Sequence, residues 1–134
     1  LPNTLAEILL NQLKHLAETT EHRQAIARIY NNEITNPEIK KPEWSDESVW
    51  LRYTLLVKNP EKLHVFAKKQ GIILGNWYDC PVAPKDIDLS ATDYELGSCH
   101  NDEKLSQMSI NLPTDPCITS KDARRIVKLI NLWR

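Results

Sequence analysis

Apolar residues recur at helical spacing along the first quarter of the chain. Leu5, Ile8, Leu9, Leu13, Leu16 and Ala17 are followed by Ala25, Ile26, Ile29 and Tyr30, with neither Gly nor Pro between Thr4 and Thr35. This pattern predicts a long amphipathic helix over residues 1–35, either unbroken or in two nearly continuous pieces. Thr4 and Glu7 have the spacing of a capping box, in which hydroxyl and carboxylate each answer a free N–H of the first turn. The polar interval 18–21 reads as a solvent-exposed turn of the same helix. A helix of ~30 residues exceeds the usual ~11–12, which suits a strut or part of an interface.

From residue 48 the period changes. Val49, Leu51, Tyr53, Leu55 and Val57 alternate with Trp50, Arg52, Thr54 and Leu56, as in a strand with one buried face. Lys58-Asn59-Pro60 stops that run. Asn59 is placed to cap, and Pro60 to open, a helix with Leu63, Phe66 and Ala67 inward. Gly71 ends the helix, because glycine takes a left-handed position at little cost. A short strand then leads to the aromatic pair Trp77-Tyr78. Between the two halves, residues 38–47 read as a surface connection anchored by Trp44. Residues 79–97, with Pro81 and Pro84, form a long loop, and loops beyond ~12–15 residues are often functional. A short helix is expected over 98–108, starting at Ser98 or Asn101, and a short strand over 109–113, closed by Pro113. Thr119 or Ser120 caps a last helix with Ala123, Ile126, Val127, Ile130 and Trp133 inward and Arg124, Arg125 and Lys128 in water. This order predicts an α+β fold, an α/β sandwich in which helices pack on a three- or four-stranded sheet.

Composition narrows the function classes. A chain of 134 residues suits a single domain over 1–134, with a long helix over 1–35 and a strand/helix core over 48–134. A formal charge of -1 and a pI near 6.5 give no basic field, so a nucleic-acid partner is not expected. No apolar run approaches the ~20 residues of a bilayer helix, so no membrane partner is expected either. The three cysteines, Cys80, Cys99 and Cys117, do not make a disulfide framework and point to a reducing compartment, by default the cytoplasm. The opening Leu1-Pro2, without Met, suggests a piece of a longer polypeptide or a processed product.

Candidate chemistry is sparse. Cys80, Cys99, His100 and Cys117 lack the close ligand pairs of a zinc site. Nothing in the sequence brings His15, His22, His64 or His100 to a cysteine nucleophile. Gly71, Gly75 and Gly97 form no phosphate-cradling fingerprint. Arg52 stands out, because an arginine on a half-buried strand must meet an anion or lie at a sheet edge, with a structural acid partner favoured over a ligand. Trp77 and Tyr78 offer a flat apolar wall and a hydroxyl to a sugar or base, with core packing as the even alternative.

A set of ordered motifs adds a resemblance. Asn3, Ala6, Gln12-Leu13, Arg23, Ala27 and Tyr30 in the first helix are followed by Arg52-Tyr53, Gln70-Gly71-Ile72, Trp77-Tyr78 and Pro81. Cys99 with Glu103, Leu112-Pro113-Thr114, Asp122-Ala123 and Ile126-Val127 complete the series. In this order the chain resembles the DegT/StrS group of pyridoxal-phosphate-dependent sugar aminotransferases over nearly its whole length. The resemblance implies the C-terminal small domain of a fold type I enzyme that moves an amino group, usually from glutamate, to a nucleotide-linked keto sugar in amino-sugar or cell-surface polysaccharide biosynthesis. The cofactor lysine, the acid that pairs with the pyridine nitrogen and most phosphate-binding groups would lie in the chain's own upstream large domain. The full-length enzyme would use pyridoxal phosphate, with none expected on this fragment, which would be inert alone.

The resemblance further implies a homodimer formed through the long helix and a substrate cleft to which Trp77, Tyr78 and Arg52 contribute. Trp77 stands where many relatives carry a histidine near the sugar nucleotide, a departure that leaves room for a stacking role and weakens a proton-transfer role. Cys99-His100-Asn101-Asp102-Glu103 departs from the relatives' Cys-Pro-x-Ala-Glu. The alternatives are a non-catalytic binding or assembly module with the same fold, part of a sugar dehydratase that has lost the lysine, and, remotely, a small enzyme using Arg52 and a cysteine. Apolar surface left uncovered in the isolated fragment would favour self-association.

Overall fold

The computed structural model describes residues 3–134. The first apolar stripe forms two helices in near continuity, α1 (Asn3–Lys14) and α2 (Leu16–Glu33). They are separated by His15, whose N–H reaches the Gln12 carbonyl at 3.0 Å. The break therefore falls before the polar interval 18–21, which lies inside α2. Thr4 is already within α1, so the expected Thr4–Glu7 capping box is not the start of this helix. The two helices differ in burial. No residue of α1 is buried, whereas α2 buries Ile26, Ala27 and Tyr30.

Two antiparallel strands form the centre, β1 (Tyr53–Leu56) and β2 (Ser109–Leu112), with Tyr53 opposite Leu112 and Leu55 opposite Ile110. On the outer sides, Lys40 bridges Leu56 and Gly75 bridges Asn111. The expected three- or four-stranded sheet is thus a two-stranded ladder with a single antiparallel bridge on each flank. The strand expected from residue 49 begins only at Tyr53. Trp50 takes a left-handed backbone, φ 57°, which breaks the alternation and leaves Val49 and Leu51 exposed. Side chains take the carbonyls that a ladder would have used. The Thr114 hydroxyl lies 2.7 Å from the Trp50 carbonyl and 2.9 Å from that of Leu51, to which Arg23 also donates at 2.9 Å. Trp50 instead stacks on Trp44, centroids 5.1 Å apart.

The remaining elements are α3 (Pro60–Lys69), a 3-10 turn at Leu89–Ala91, α4 (His100–Ser106) and α5 (Ser120–Leu132). Gly71, at φ 68°, ends α3 as glycine spacing suggests. Asn59 holds the N-cap position of α3 without a side-chain bond. α4 starts at His100, with Cys99 rather than Ser98 or Asn101 at the cap, again without a side-chain bond. α5 has a full capping box between Thr119 and Asp122. One face of the ladder, carrying Tyr53, Leu55, Ile110 and Leu112, joins the buried residues of α2, α3 and α5 in a single core. Two buried phenols are tied down there. Tyr30 donates to the Pro113 carbonyl and Tyr53 to Asn31 Oδ1, both at 2.9 Å. Desolvation raises both hydroxyls, Tyr53 to about 12, so they act as neutral donors.

Candidate substrate-facing site

The opposite face of the ladder is polar and carries the residues singled out above. Register places Thr54 beside Asn111 and Leu56 beside Ser109 on this face. Asn111 is only 1% exposed, and its side chain joins three segments. Its Nδ2 donates to Thr54 Oγ1 at 2.9 Å, and its Oδ1 accepts the Trp77 backbone N–H at 2.9 Å. Its backbone exchanges two 2.8 Å hydrogen bonds with Gly75. The approach at Gly75 is close. A Cβ there would meet Trp77 Cδ1 at 3.1 Å and Asn111 Cβ at 3.2 Å, so glycine is what lets the segment run against β2 before turning out.

On this support Trp77 projects outward, 64% exposed, and the Arg52 guanidinium lies over its ring, 4.0 Å from the centroid. The acid partner expected for Arg52 is replaced by this cation–π contact. Among the described residues no ion pair involves Arg52. The pair faces a shallow recess of about 350 Å³ bounded by Asn76 and Pro113. Tyr78, half-exposed, points into a neighbouring cleft of about 630 Å³ with Lys40, Thr54, Leu56, Cys80 and Asp102. The structure therefore brings Arg52 and Trp77 into contact and sets Tyr78 in the adjoining space. Chemically the arrangement offers a flat aromatic face backed by a delocalised cation, and next to it a phenol in a larger apolar cleft. It can bind and orient a ring-bearing or anionic ligand.

The thiol beside this face is not activated as a nucleophile. Desolvation and the Asp79 carboxylate push the Cys80 thiol up, which keeps it protonated. Cys99 and Cys117 are exposed. Among the described residues no three His, Cys, Asp or Glu side chains converge as metal ligands. The loop beside the cleft is fastened by Glu103, whose Oε1 accepts from the Tyr94 hydroxyl and from the Gly97 N–H, both at 2.6 Å. These two bonds hold the Glu103 carboxyl below its usual range, and Tyr94 in turn rises to about 12. Sequence reasoning missed Asn111, Thr54 and Gly75 as supports. The available signal was an asparagine inside the apolar strand Ser109–Leu112, where that residue is disfavoured unless its amide is bonded.

The profile of the DegT/DnrJ/EryC1/StrS aminotransferase family matches residues 1–131. A curated relative, the dTDP-3-amino-3,6-dideoxy-alpha-D-galactopyranose transaminase of Aneurinibacillus thermoaerophilus, is 26% identical over 130 residues, covering 96% of this chain and 35% of the relative. Among solved structures, S. venezuelae DesV in complex with a ketimine intermediate superposes with a TM-score of 0.81 at 22% identity, over 94% of this chain and 34% of that one. The ntda protein from Bacillus subtilis, with bound cofactor PMP, superposes with a TM-score of 0.72 at 19% identity, over 87% of this chain and 28% of that one. The chain spans about a third of the length of these proteins.

Proposed function

The chain belongs to the DegT/DnrJ/EryC1/StrS aminotransferase family, and from that premise we propose that it is the C-terminal small domain of a pyridoxal-phosphate-dependent enzyme that aminates a nucleotide-linked keto sugar in the cytoplasm. The observation that carries this reading is the family match over residues 1–131 in a chain spanning about a third of the relatives' length. The sugar transaminase among the relatives and the cofactor-bearing neighbour support the substrate class and the cofactor.

The described residues do not by themselves suit pyridoxal phosphate. Every lysine among them is exposed, whereas a lysine that binds the cofactor covalently needs an enclosed, desolvated site. No catalytic step is therefore assigned to this chain. The cofactor would supply the amino-group chemistry from an upstream large domain. In this reading the Arg52–Trp77 pair stacks against the substrate and Tyr78 lines the cleft beside it. The apolar stripe of α1, with Leu5, Ile8, Leu9 and Leu13 each half-exposed, contributes to a homodimer.

The test uses the full-length protein. It should show the visible absorbance of a lysine-bound cofactor and transfer an amino group from glutamate to a keto sugar nucleotide. Loss of a sugar hydroxyl without amine transfer would instead identify a dehydratase. A full-length protein with neither the absorbance nor either reaction would leave a binding or assembly module.

A further inference from the structure

Trp50, at φ 57°, is the one non-glycine residue among those described with a left-handed backbone. That conformation is costly for a bulky side chain and persists only where the surroundings impose it. The ring is held by the Trp44 stack and by a 3.3 Å bond from Nε1 to the Ser45 carbonyl. The backbone is held by a different set of groups. Along a pleated strand successive carbonyls point to opposite sides, but those of Trp50 and Leu51 converge on one hydroxyl, Thr114 Oγ1, at 2.7 and 2.9 Å. Thr114 is only 1% exposed, and its hydroxyl also accepts from Arg23 Nη1 at 3.3 Å, the same nitrogen that donates to the Leu51 carbonyl at 2.9 Å. Arg23 has no carboxylate partner among the described residues, and the hydrogen bonds it makes go to this corner.

The Leu51 carbonyl belongs to the peptide that carries the Arg52 N–H. Its oxygen meets two donors, one from α2 and one from the segment after β2, which fixes the plane of that peptide and so the direction in which the chain delivers Arg52. On the other side Tyr53 enters the ladder opposite Leu112. Arg52 is thus clamped between a side-chain clasp and the first rung of the sheet. Strand alternation sets it on the face of Thr54, where Asn111 holds the Trp77 N–H. Separate networks therefore fasten the two halves of the cation–π contact, Trp77 through Asn111 and Arg52 through Thr114.

We propose that Thr114, assisted by Arg23, is a positioning residue for the substrate-facing pair, its hydroxyl shaping the Trp50–Leu51 corner so that the Arg52 guanidinium rests on Trp77, 4.0 Å from the ring centroid. Thr114 acts on the backbone before Arg52, and any effect on a ligand passes through Arg52. The bearing on substrate rests on the function proposed above; the hold on Arg52 does not.

The test uses the full-length protein with isotopically labelled arginine. The Trp77 ring current should shift the Arg52 side-chain signal, identified by its loss in Arg52→Lys and its return to the exposed-arginine position in Trp77→Leu. Thr114→Val keeps the shape of the side chain and removes the hydroxyl. It should move the Arg52 signal most of the way to the exposed position, Arg23→Gln should move it in the same direction by less, and Thr114→Ser should leave it in place. In the amination assay Thr114→Val should raise KM for the sugar substrate roughly fivefold, the size of a lost exposed cation–π contact, with kcat changed less. It should add nothing in an Arg52→Ala background. An unmoved Arg52 signal in Thr114→Val and Arg23→Gln, or a KM effect of the same size with and without Arg52, would overturn the proposal. A moved signal with KM unchanged in both Thr114→Val and Arg52→Ala would uphold the hold on Arg52 and overturn the substrate role of the pair.

Discussion

Asn111 holds Trp77 by its backbone: the buried amide oxygen accepts the Trp77 N–H at 2.9 Å while the amide nitrogen donates to Thr54 at 2.9 Å. Removing the side chain strands both partners at the sheet surface. Asn111→Ala is expected to cost about 2–3 kcal/mol in urea unfolding. It should also loosen the 75–78 segment, read as faster amide exchange there than in α5. Unchanged exchange at Trp77 would contradict the role given to Asn111.

The Arg52–Trp77 contact lies in solvent, so it should matter more to a ligand than to folding. Arg52→Ala is expected to change stability by less than about 1 kcal/mol. In the full-length enzyme, Arg52→Ala and Trp77→Ala should each raise KM for the sugar substrate, with kcat changed less, and Trp77→Phe should retain part of the affinity. An effect confined to kcat would argue against a stacking role.

The two halves of the N-terminal stripe should respond differently to substitution. Ile26 in α2 is 1% exposed, and Ile26→Ala should cost about 2–5 kcal/mol as a core cavity. Leu9 and Leu13 in α1 are 50% and 51% exposed. Leu9→Gln with Leu13→Gln should leave the unfolding midpoint of this chain within about 0.5 kcal/mol of the parent. The same pair should reduce self-association in sedimentation velocity. A strictly monomeric parent at high concentration would remove the basis for a dimer through α1.

Hydrogen bonds hold three carboxylates below their usual range, Asp88 through those from Ser90, and Glu103 and Asp122 through others. Hydrogen bonds from Tyr94 and Gly97 depress Glu103, and those from Thr119 depress Asp122. A depressed carboxyl contributes stability at pH values above its unfolded pKa, and that contribution disappears as pH falls through the folded value. Stability should therefore be flat in these groups near neutrality and decline below about pH 4. Glu103→Gln and Asp122→Asn should each flatten the decline in chemical unfolding followed against pH. An unaltered acid profile in both variants would assign the loss to other groups.

The amino-acid sequence by itself determined the helices and where most of them stop. The stripes of α2, α3 and α5, Gly71 after α3 and the Thr119–Asp122 box are local features, set by side chains within a turn or two of one another. The ordered motifs likewise carried the family, because they follow the chain. What tertiary structure decided is whatever needed a partner distant in sequence. The alternation from Val49 pointed to a longer strand, but Thr114 and Arg23, 63 and 28 residues away from Leu51, take the carbonyls that would have extended it. Arg52 looked in need of an acid and found an indole, brought to it by a glycine bridge to β2. The stripe of α1 reads the same in sequence as that of α2, yet only α2 meets α5 and the sheet. Periodicity shows that a face can be buried. Whether it is buried depends on a second surface, whose position only the assembled fold supplies.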